Sequence, residues 1–327
     1  MSNATVSRLG LVNNTGTDFE ALFLKVFSGE LTAFTRNNIF NEQLHSVRTI
    51  TSGKSAQFPV LGTATASFHT PGNLLTGGNQ IRHGERVISI DDVLIADVFV
   101  SRLEELKNHY DIRASYADEL GKALAKTYDE NVAKMIAQAS RASSTLTGIA
   151  GGLTLTLANG NTASSDVTGD EIAAAIYDIA QTFDERDIPP TDRFCVLPPA
   201  EYYKLAETAT RTVNVDFNPG GGNGSFASGN VQQIAGIPIL KSNNIPQSNR
   251  SAASGENNAY NCDDSKTIGL VFHKSAVGTV KLMDMTTEIT GNDYSTMYQG
   301  TLMVAKYALG HGILRPECAA TIKLSAS

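Results

Sequence analysis

The sequence predicts an α+β fold, and three stretches of the 327-residue chain support this prediction. A β-rich excursion covers residues 45–100, one long helix follows over about 111–142, and helices alternate with strands over 168–290. Hydrophobic residues make up 41% of the chain, which is enough for a sizeable buried core. This composition excludes intrinsic disorder as the global state.

The β excursion opens with apolar or small residues at every second position: Ala56, Phe58, Val60, Gly62, Ala64, Ala66 and Phe68. A period of two predicts a half-buried strand that runs from 56 to 68. A second β-rich run covers 87–100. Because a two-stranded hairpin is marginally stable alone in water, the excursion must lie on the rest of its own chain or on a neighbouring chain.

The long helix carries one narrow apolar stripe, with residues spaced by three or four: Leu120, Leu124, Tyr128, Val132, Ile136 and Ala139. Charged residues occupy the opposite face: Asp118, Lys122, Lys126, Asp129, Glu130 and Lys134. This pattern is typical of an amphipathic helix, and we expect it to lie on a surface with its charged face in solvent.

The alternating region begins with a capping box, in which Thr168 precedes Glu171 by three residues. The helix that follows has Ile172, Ile176, Ile179 and Phe183 on one face. We expect strands near 194–197, 237–240 and 268–272, a short helix after Pro198, and a mobile glycine-rich loop over 218–230. The tail, 301–324, returns to strand-like patterns.

Net charge and cysteine spacing argue against several classes of function. The formal net charge is −7, with 26 Lys and Arg against 33 Asp and Glu, and no basic stripe is visible. This balance argues against a protein that grips nucleic acid non-specifically. Three widely spaced cysteines form no C-x-x-C pair, and no signal peptide or membrane span is visible. We expect a soluble protein with reduced thiols.

Motifs for catalysis or nucleotide binding are weak. Gly53-Lys54-Ser55 resembles part of a phosphate-binding loop, but Arg48 stands where the motif needs glycine, so a turn or the start of a strand is the better interpretation. The six histidines are scattered without metal-binding spacing, and there is no G-x-S-x-G motif. We therefore expect no catalytic residue, no cofactor and no metal.

Five blocks carry a resemblance to a known family: 22–30 (LFLKVFSGE), 52–62 (SGKSAQFPVLG), 108–113 (NHYDIR), 273–282 (HKSAVGTVKL) and 306–317 (KYALGHGILRPE). They resemble the major capsid protein of short-tailed phages of the T-seven-like group, in the family's order and across nearly the whole chain. Residues 143–170 and 207–265 show no obvious match.

The resemblance implies the Hong Kong 97-like phage capsid fold. It implies an N-terminal arm at 1–44, an extended β-hairpin loop at 45–100, a peripheral domain with the spine helix at 101–167 and 291–327, and an axial domain at 168–290. Some proteins with this fold link subunits through a Lys–Asn bond, and Lys54 lies where such a lysine could sit. The T-seven-like group is not expected to form this crosslink.

As a function, the resemblance implies self-assembly of hexamers and pentamers into an icosahedral shell around double-stranded DNA. The partners implied are the chain itself, a separate scaffolding protein, a portal protein and loosely held DNA, but no membrane. The location implied is the virion capsid, after assembly in the bacterial cytoplasm. Within the excursion we expect contacts between subunits at Lys54, Gln57, Phe58, Val60, Ala64 and Phe68.

Two alternatives stay open at this point. An encapsulin-like nanocompartment would share the fold but enclose protein cargo in place of DNA. A soluble hydrolase or nucleotide-binding enzyme would belong to a different class of function. The size of the purified particle distinguishes a container from an enzyme.

Overall fold

The computed structural model describes residues 43–64, 66–74, 77, 81–107, 113–144, 146, 148–157, 163–208, 224–225, 230–231, 233–251, 258–289 and 292–325. The chain divides into two compact units. Within the described ranges, the first unit contains 91–128 and 282–309, and the second contains 43–90, 129–281 and 310–325. Residues 1–42 of the predicted N-terminal arm and most of the glycine-rich loop 218–230 lie outside the described residues.

The elements of the N-terminal half are β1 (Ser46–Thr49), β2 (Ser55–Leu61), β3 (His83–Ser89), β4 (Leu94–Ser101), α1 (Arg102–Lys107), α2 (Arg113–Ala139) and β5 (Leu153–Thr156). Those of the C-terminal half are α3 (Gly169–Glu185), β6 (Arg193–Leu197), α4 (Pro199–Thr208), β7 (Gly224–Ser225), β8 (Asn230–Val231), β9 (Gln233–Ile234), β10 (Ile237–Lys241), β11 (Thr267–His273), β12 (Val277–Ile289), α5 (Asn292–Tyr298), β13 (Gly300–Ile313) and β14 (Ala319–Lys323). The mixture of helices and sheets confirms the α+β prediction.

The first unit is built on an antiparallel ladder between β4 and β13, in register from Gly300 opposite Ser101 to Tyr307 opposite Leu94. Helix α2 contributes Leu124, which is 2% exposed, and the Tyr307 hydroxyl donates to the Leu124 carbonyl oxygen at 3.5 Å. The second β-rich run of the sequence is thus two separate strands, of which β4 pairs with β13 and not within the hairpin.

The second unit contains a six-stranded mixed sheet of order β5-β14-β11-β6-β10-β9. The capping box forms as expected: the Glu171 amide donates to Thr168 Oγ1, and the Thr168 amide donates to the Glu171 carboxylate. The predicted apolar face of α3 is fully buried. Strands β5 and β14 belong to this sheet, although the sequence-based ranges put them outside the axial domain. The predicted domain boundaries of the capsid subunit remain a prediction.

Helix α2 confirms the predicted stripe but corrects the charged face. Asp129 is 1% exposed and Lys134 is 4% exposed, although the pattern placed both in solvent. Six consecutive residues, 132–137, are buried, so this end of the helix is enclosed on every side. Lys134 donates to Asn131 Oδ1 at 3.0 Å, and Asn244 Nδ2 donates to Asp129 at 3.3 Å, which provides the partners that buried polar groups require.

Candidate assembly surface

The hairpin of β2 and β3 is the element in which the sequence places the candidate contacts. Its register runs from Ser55 opposite Ser89 to Leu61 opposite His83. A further backbone bond extends the pairing, because the Gly62 amide donates to the Arg82 carbonyl oxygen at 2.8 Å. The predicted strand to Phe68 is therefore too long: β2 ends at Leu61, and the described part of 62–82 has no strand.

The inner face of the hairpin packs on its own chain. Directly opposed residues of an antiparallel pair share a face, so Ala56 and Val60 lie on the same side as Ile88. Ala56 and Ile88 form a buried cluster with Val280 of β12 and Leu314. Partly buried Ile50, Phe58 and Ile90 pack around this cluster. The base of the hairpin thus belongs to the core of the second unit.

Two glycines of β13 let β3 approach closely. A Cβ on Gly312 would lie 2.6 Å from Cγ1 of Ile88, and a Cβ on Gly310 would collide with the Ser89 carbonyl oxygen. Separations this short are well inside van der Waals contact, so a larger residue at 312 requires the Ile88 side chain or the hairpin to move, and one at 310 requires the backbone of the hairpin to move. We call Gly310 and Gly312 the glycine seat of the hairpin. The spacing of two residues puts both glycines on one face of β13.

Arg48 of β1 holds the hairpin from its edge. Its Nη1 donates to the Gln57 carbonyl oxygen at 2.8 Å. The same guanidinium lies 5.8 Å from the centre of the Phe58 ring, which is within the range of a cation–π contact. Strand β1 is itself fixed by parallel pairing with β12, where Arg48 is opposite Val280. Arg48 therefore ties the hairpin to the sheet below it.

The outer face and the tip of the hairpin expose large apolar residues. Leu61 and Val87 lie on the face that points away from the buried cluster, and both are more than half exposed. Toward the tip, Phe68 and Leu74 are almost completely exposed and Ile81 is half exposed. This is an apolar surface that the described part of the subunit leaves uncovered.

The six predicted contact residues separate into three groups. Phe58 and Val60 face the subunit's own core, Phe58 partly and Val60 fully buried. Lys54 and Gln57 are exposed at the base, and their carbonyl oxygens accept from the Ile90 amide and from Arg48 respectively. Ala64 and Phe68 are exposed beyond the end of β2. For all six residues, contact with a neighbouring subunit remains a prediction.

Three features of the described residues concern nucleotide, metal and membrane binding. Gly53 has a positive φ of 115° and β2 starts at Ser55, which confirms the strand-start interpretation of Gly53-Lys54-Ser55. Within the described ranges, no three His, Cys, Asp or Glu side chains are grouped to hold a metal ion. Among the helices described, none combines the length and apolar character needed to cross a bilayer.

Two polar clusters contain residues of the types that act as nucleophiles in enzymes. The ring Nδ1 of His273 lies 2.8 Å from Ser275 Oγ and accepts from the Ser275 amide at 3.2 Å. Arg141 donates to Cys262 Sγ, to the Asp263 carbonyl oxygen at 2.7 Å and to Asp264 at 2.7 Å. The first cluster closes the turn between β11 and β12, and the second ties a loop to the end of α2.

All three cysteines are free thiols. Burial raises the pKa of Cys195 to about 12, and burial also raises the pKa values of Cys262 and Cys318. Because the thiolate is the reactive form, a raised pKa makes each thiol a poor nucleophile at neutral pH.

Comparison with solved structures defines the class of protein to which this fold belongs. The capsid of cyanophage P-SCSP1u has a TM-score of 0.82 and 49% sequence identity, and the match covers 100% of both chains. The mature capsid of bacteriophage PhiM1 has a TM-score of 0.73 at 21% identity, over 98% of this chain and 97% of that chain. The fold is the Hong Kong 97-like fold of phage capsid proteins.

Sequence comparison gives the family. The family model of Gp10A-like major capsid proteins matches residues 57–323. The major capsid protein of Escherichia phage T7 is 35% identical over 320 residues, which are 92% of this chain and 91% of the relative. The chain belongs to the Gp10A-like family of phage major capsid proteins, and its location is the capsid of the virion. This match supports the capsid interpretation over the encapsulin-like and enzyme alternatives.

Proposed function

We propose that this chain builds its shell through the hairpin, whose outer face and tip bind a neighbouring subunit. The observation that supports this proposal is the exposed apolar set at the tip, Phe68 and Leu74, together with a base that packs on the subunit's own core. A fixed base with an uncovered apolar tip is the arrangement expected of an element that contacts another chain.

The energetics favour repeated weak contacts. Covering one exposed Phe contributes about 1.5–3 kcal/mol, which is small for a single pair of subunits. In a closed shell the same contact recurs at every subunit, so the total becomes large while each subunit remains able to dissociate and correct errors. Lys54, Gln57 and Ala64, exposed along the same element, would complete this contact surface.

We propose further that the subunits form hexamers and pentamers of an icosahedral shell around double-stranded DNA. A separate scaffolding protein and a portal protein are the other partners of this proposal, and no membrane is involved. The acidic balance of the chain, −7 at neutral pH, favours loose contact with a polyanion, because repeated negative charge repels the DNA phosphates.

The role we propose is structural and not catalytic. The Ser275 hydroxyl and the Ser275 amide share one ring nitrogen of His273, so this pair is used to close a turn. Burial lowers the pKa of His273, which weakens it as a base, and the three thiols have raised pKa values. These groups therefore lack the activation that a nucleophile needs.

Substitution of Phe68 tests the proposal. Phe68→Ser removes the largest exposed apolar side chain at the tip, and Phe68→Leu is the matched control that keeps an apolar side chain there. Because Phe68 is fully exposed in the subunit, neither change affects folding. We expect Phe68→Ser to remain as folded subunits or capsomers in sedimentation velocity, and Phe68→Leu to form shells. Normal shells from Phe68→Ser would contradict the proposal.

A further inference from the structure

We propose that Gly310, Gly312 and Arg48 set the direction in which the hairpin leaves its own subunit, and thereby determine whether shells close correctly. This inference rests on the proposed function of the hairpin. It assigns an assembly role to three residues that contact the hairpin base within one subunit. They are positioning residues, because they act through the hairpin and not through direct contact with the neighbour.

The glycine seat fixes β3 at two successive points. Gly312 lies against the Ile88 side chain, and Gly310 lies against the backbone at Ser89 and Ile90, with the Ile90 Cα 2.9 Å from the position of a Cβ. A buried cluster that includes Ile88, Val280 and Leu314 closes the space beside the seat. The hairpin base therefore has no room to shift toward β13.

Arg48 fixes the other strand. It contacts β2 twice, through the Gln57 carbonyl oxygen and through the Phe58 ring, while the amide two residues later, that of Ile50, donates to the Lys281 carbonyl oxygen at 2.8 Å. Besides the cluster that Ala56 and Ile88 share, each strand of the hairpin thus has an attachment of its own, β3 to β13 and β2 to β1. Two separate attachments define an orientation, whereas one attachment would act as a hinge.

The hairpin amplifies small movements at its base. A Cβ on Gly312 needs Ile88 to move by about 1 Å to reach ordinary contact distance. Two residues of a strand span about 7 Å, so a 1 Å shift at one end of the seat tilts the hairpin by about 8°. Seven residues of strand are about 23 Å long, and the tilt therefore moves the far end by about 3 Å. A displacement of this size separates apolar groups that were in contact.

The substitutions at the seat differ in a way that the structure explains. Gly312→Ala conflicts with a side chain, so Ile88→Ala in the same chain removes all three atoms that obstruct the new Cβ. Gly310→Ala conflicts with the Ser89 carbonyl oxygen, which no side-chain change relieves. We expect Gly312→Ala to give open or irregular particles, Gly312→Ala with Ile88→Ala to recover closed shells, and Gly310→Ala with Ile88→Ala not to recover them.

The experiment compares these variants of the full chain by circular dichroism and by negative-stain micrographs of particles assembled with the scaffolding protein. Arg48→Met and Arg48→Lys are added, because Arg48 is at an exposed contact whose loss leaves the subunit folded. We expect Arg48→Met to lose closed shells and Arg48→Lys to keep part of them. If Gly312→Ala does not fold, the Arg48 pair decides the question.

Two outcomes would overturn the inference. One is closed shells of normal diameter from both Gly312→Ala and Arg48→Met. The other is a failure of Ile88→Ala to rescue a folded Gly312→Ala subunit. Phe68→Ser separates this inference from the proposed function: a defect at Phe68 with normal seat and Arg48 variants overturns only the positioning role, and normal shells from Phe68→Ser overturn the proposed function.

Discussion

Ile88 of the hairpin packs directly on Gly312 of β13, with its Cγ1 2.6 Å from the position that a Cβ of residue 312 would occupy. This contact gives a physical reason for the Gly310-His311-Gly312 sequence. A strand interior is weakened by glycine, which has no side chain to pack, so two glycines in β13 need a compensating role. That role is to let a second layer, the hairpin base, lie against the strand.

Truncation of Phe58 should lower the stability of the subunit, whereas truncation of Phe68 should impair assembly without affecting stability. Phe58 packs partly against the buried cluster of its own subunit, so Phe58→Ala should lower the free energy of unfolding by about 2 kcal/mol, roughly half the cost of a fully buried Phe. Phe68→Ala should leave the free energy of unfolding unchanged. Urea unfolding of unassembled subunits measures both, and equal losses would show that Phe68 belongs to the subunit core.

Leu124 tests the buried stripe of α2. Leu124→Asp places a charge where the native side chain is 2% exposed, which costs several kcal/mol and should give insoluble protein. Ala123→Asp is the matched control, because the neighbouring position is exposed. The soluble fraction after expression measures the difference. Two equally soluble variants would mean that α2 does not bury this face.

Arg141 and Asp264 form an ion pair in which the carboxylate is fully buried. Arg141→Met should lower the free energy of unfolding by about 3 kcal/mol, because it leaves a buried charge without its main partner. Burial already raises the pKa of Asp264, and Arg141 opposes this rise. Addition of Asp264→Asn should therefore restore part of the loss. A double variant that is less stable than Arg141→Met alone would contradict this account.

His311 should make the subunit sensitive to acid. Burial lowers its pKa from 6.5 to about 3, with a smaller contribution from His45, and its Nδ1 lies 2.8 Å from Thr279 Oγ1. A depressed histidine pKa means that the unfolded chain binds the proton first, so stability is complete above pH 6.5 and falls as the pH drops toward 3. At pH 4.5 the loss from this group is about 2–3 kcal/mol.

The comparison of wild type with His311→Gln isolates this effect. Glutamine retains a hydrogen-bonding side chain but does not titrate, so the variant should lose less stability between pH 7 and pH 4.5 than the wild type. Chemical unfolding of subunits at both pH values gives the two differences. Identical differences would show that His311 does not carry the acid sensitivity.

Removal of the capping box of α3 should lower the stability of the subunit only modestly. Thr168→Ala removes the hydroxyl that accepts from the Glu171 amide and should cost about 1 kcal/mol. Thr182→Ala, within the same helix, is the control and should have little effect, because its hydroxyl donates to the Asp178 carbonyl oxygen one turn earlier in the same helix. Thermal unfolding compares the two, and an unchanged midpoint for Thr168→Ala would contradict the prediction.

Local sequence patterns predicted the parts of the fold that depend on neighbouring residues. The capping box at Thr168, the apolar face of α3 and the strand start after Gly53 were predicted correctly, because each is decided within a few positions. The burial of Asp129 and Lys134 was missed, because the second half of α2 is enclosed by elements distant in sequence. Helical periodicity describes one helix and says nothing about what surrounds it.

The attachments of the hairpin were also missed, for the same physical reason. In the sequence, Arg48 is recognisable only as the residue that breaks a phosphate-binding motif, because its contact with Gln57 depends on how β1 lies beside β2. The glycine seat is visible in the sequence as two glycines at a spacing of two within a strand pattern. That signal indicates a close approach but does not identify Ile88 as the residue that approaches.

The most direct test of whether the hairpin tip binds a neighbouring subunit is a reconstruction of the assembled shell by electron cryomicroscopy. The quantity to measure is the exposed fraction of the Phe68 side chain. We expect Phe68 and Leu74, exposed in the single subunit, to be covered by a neighbouring subunit while Ile88 remains on Gly312 of its own chain. A shell in which Phe68 stays in solvent, or in which the hairpin base leaves the glycine seat, would contradict it.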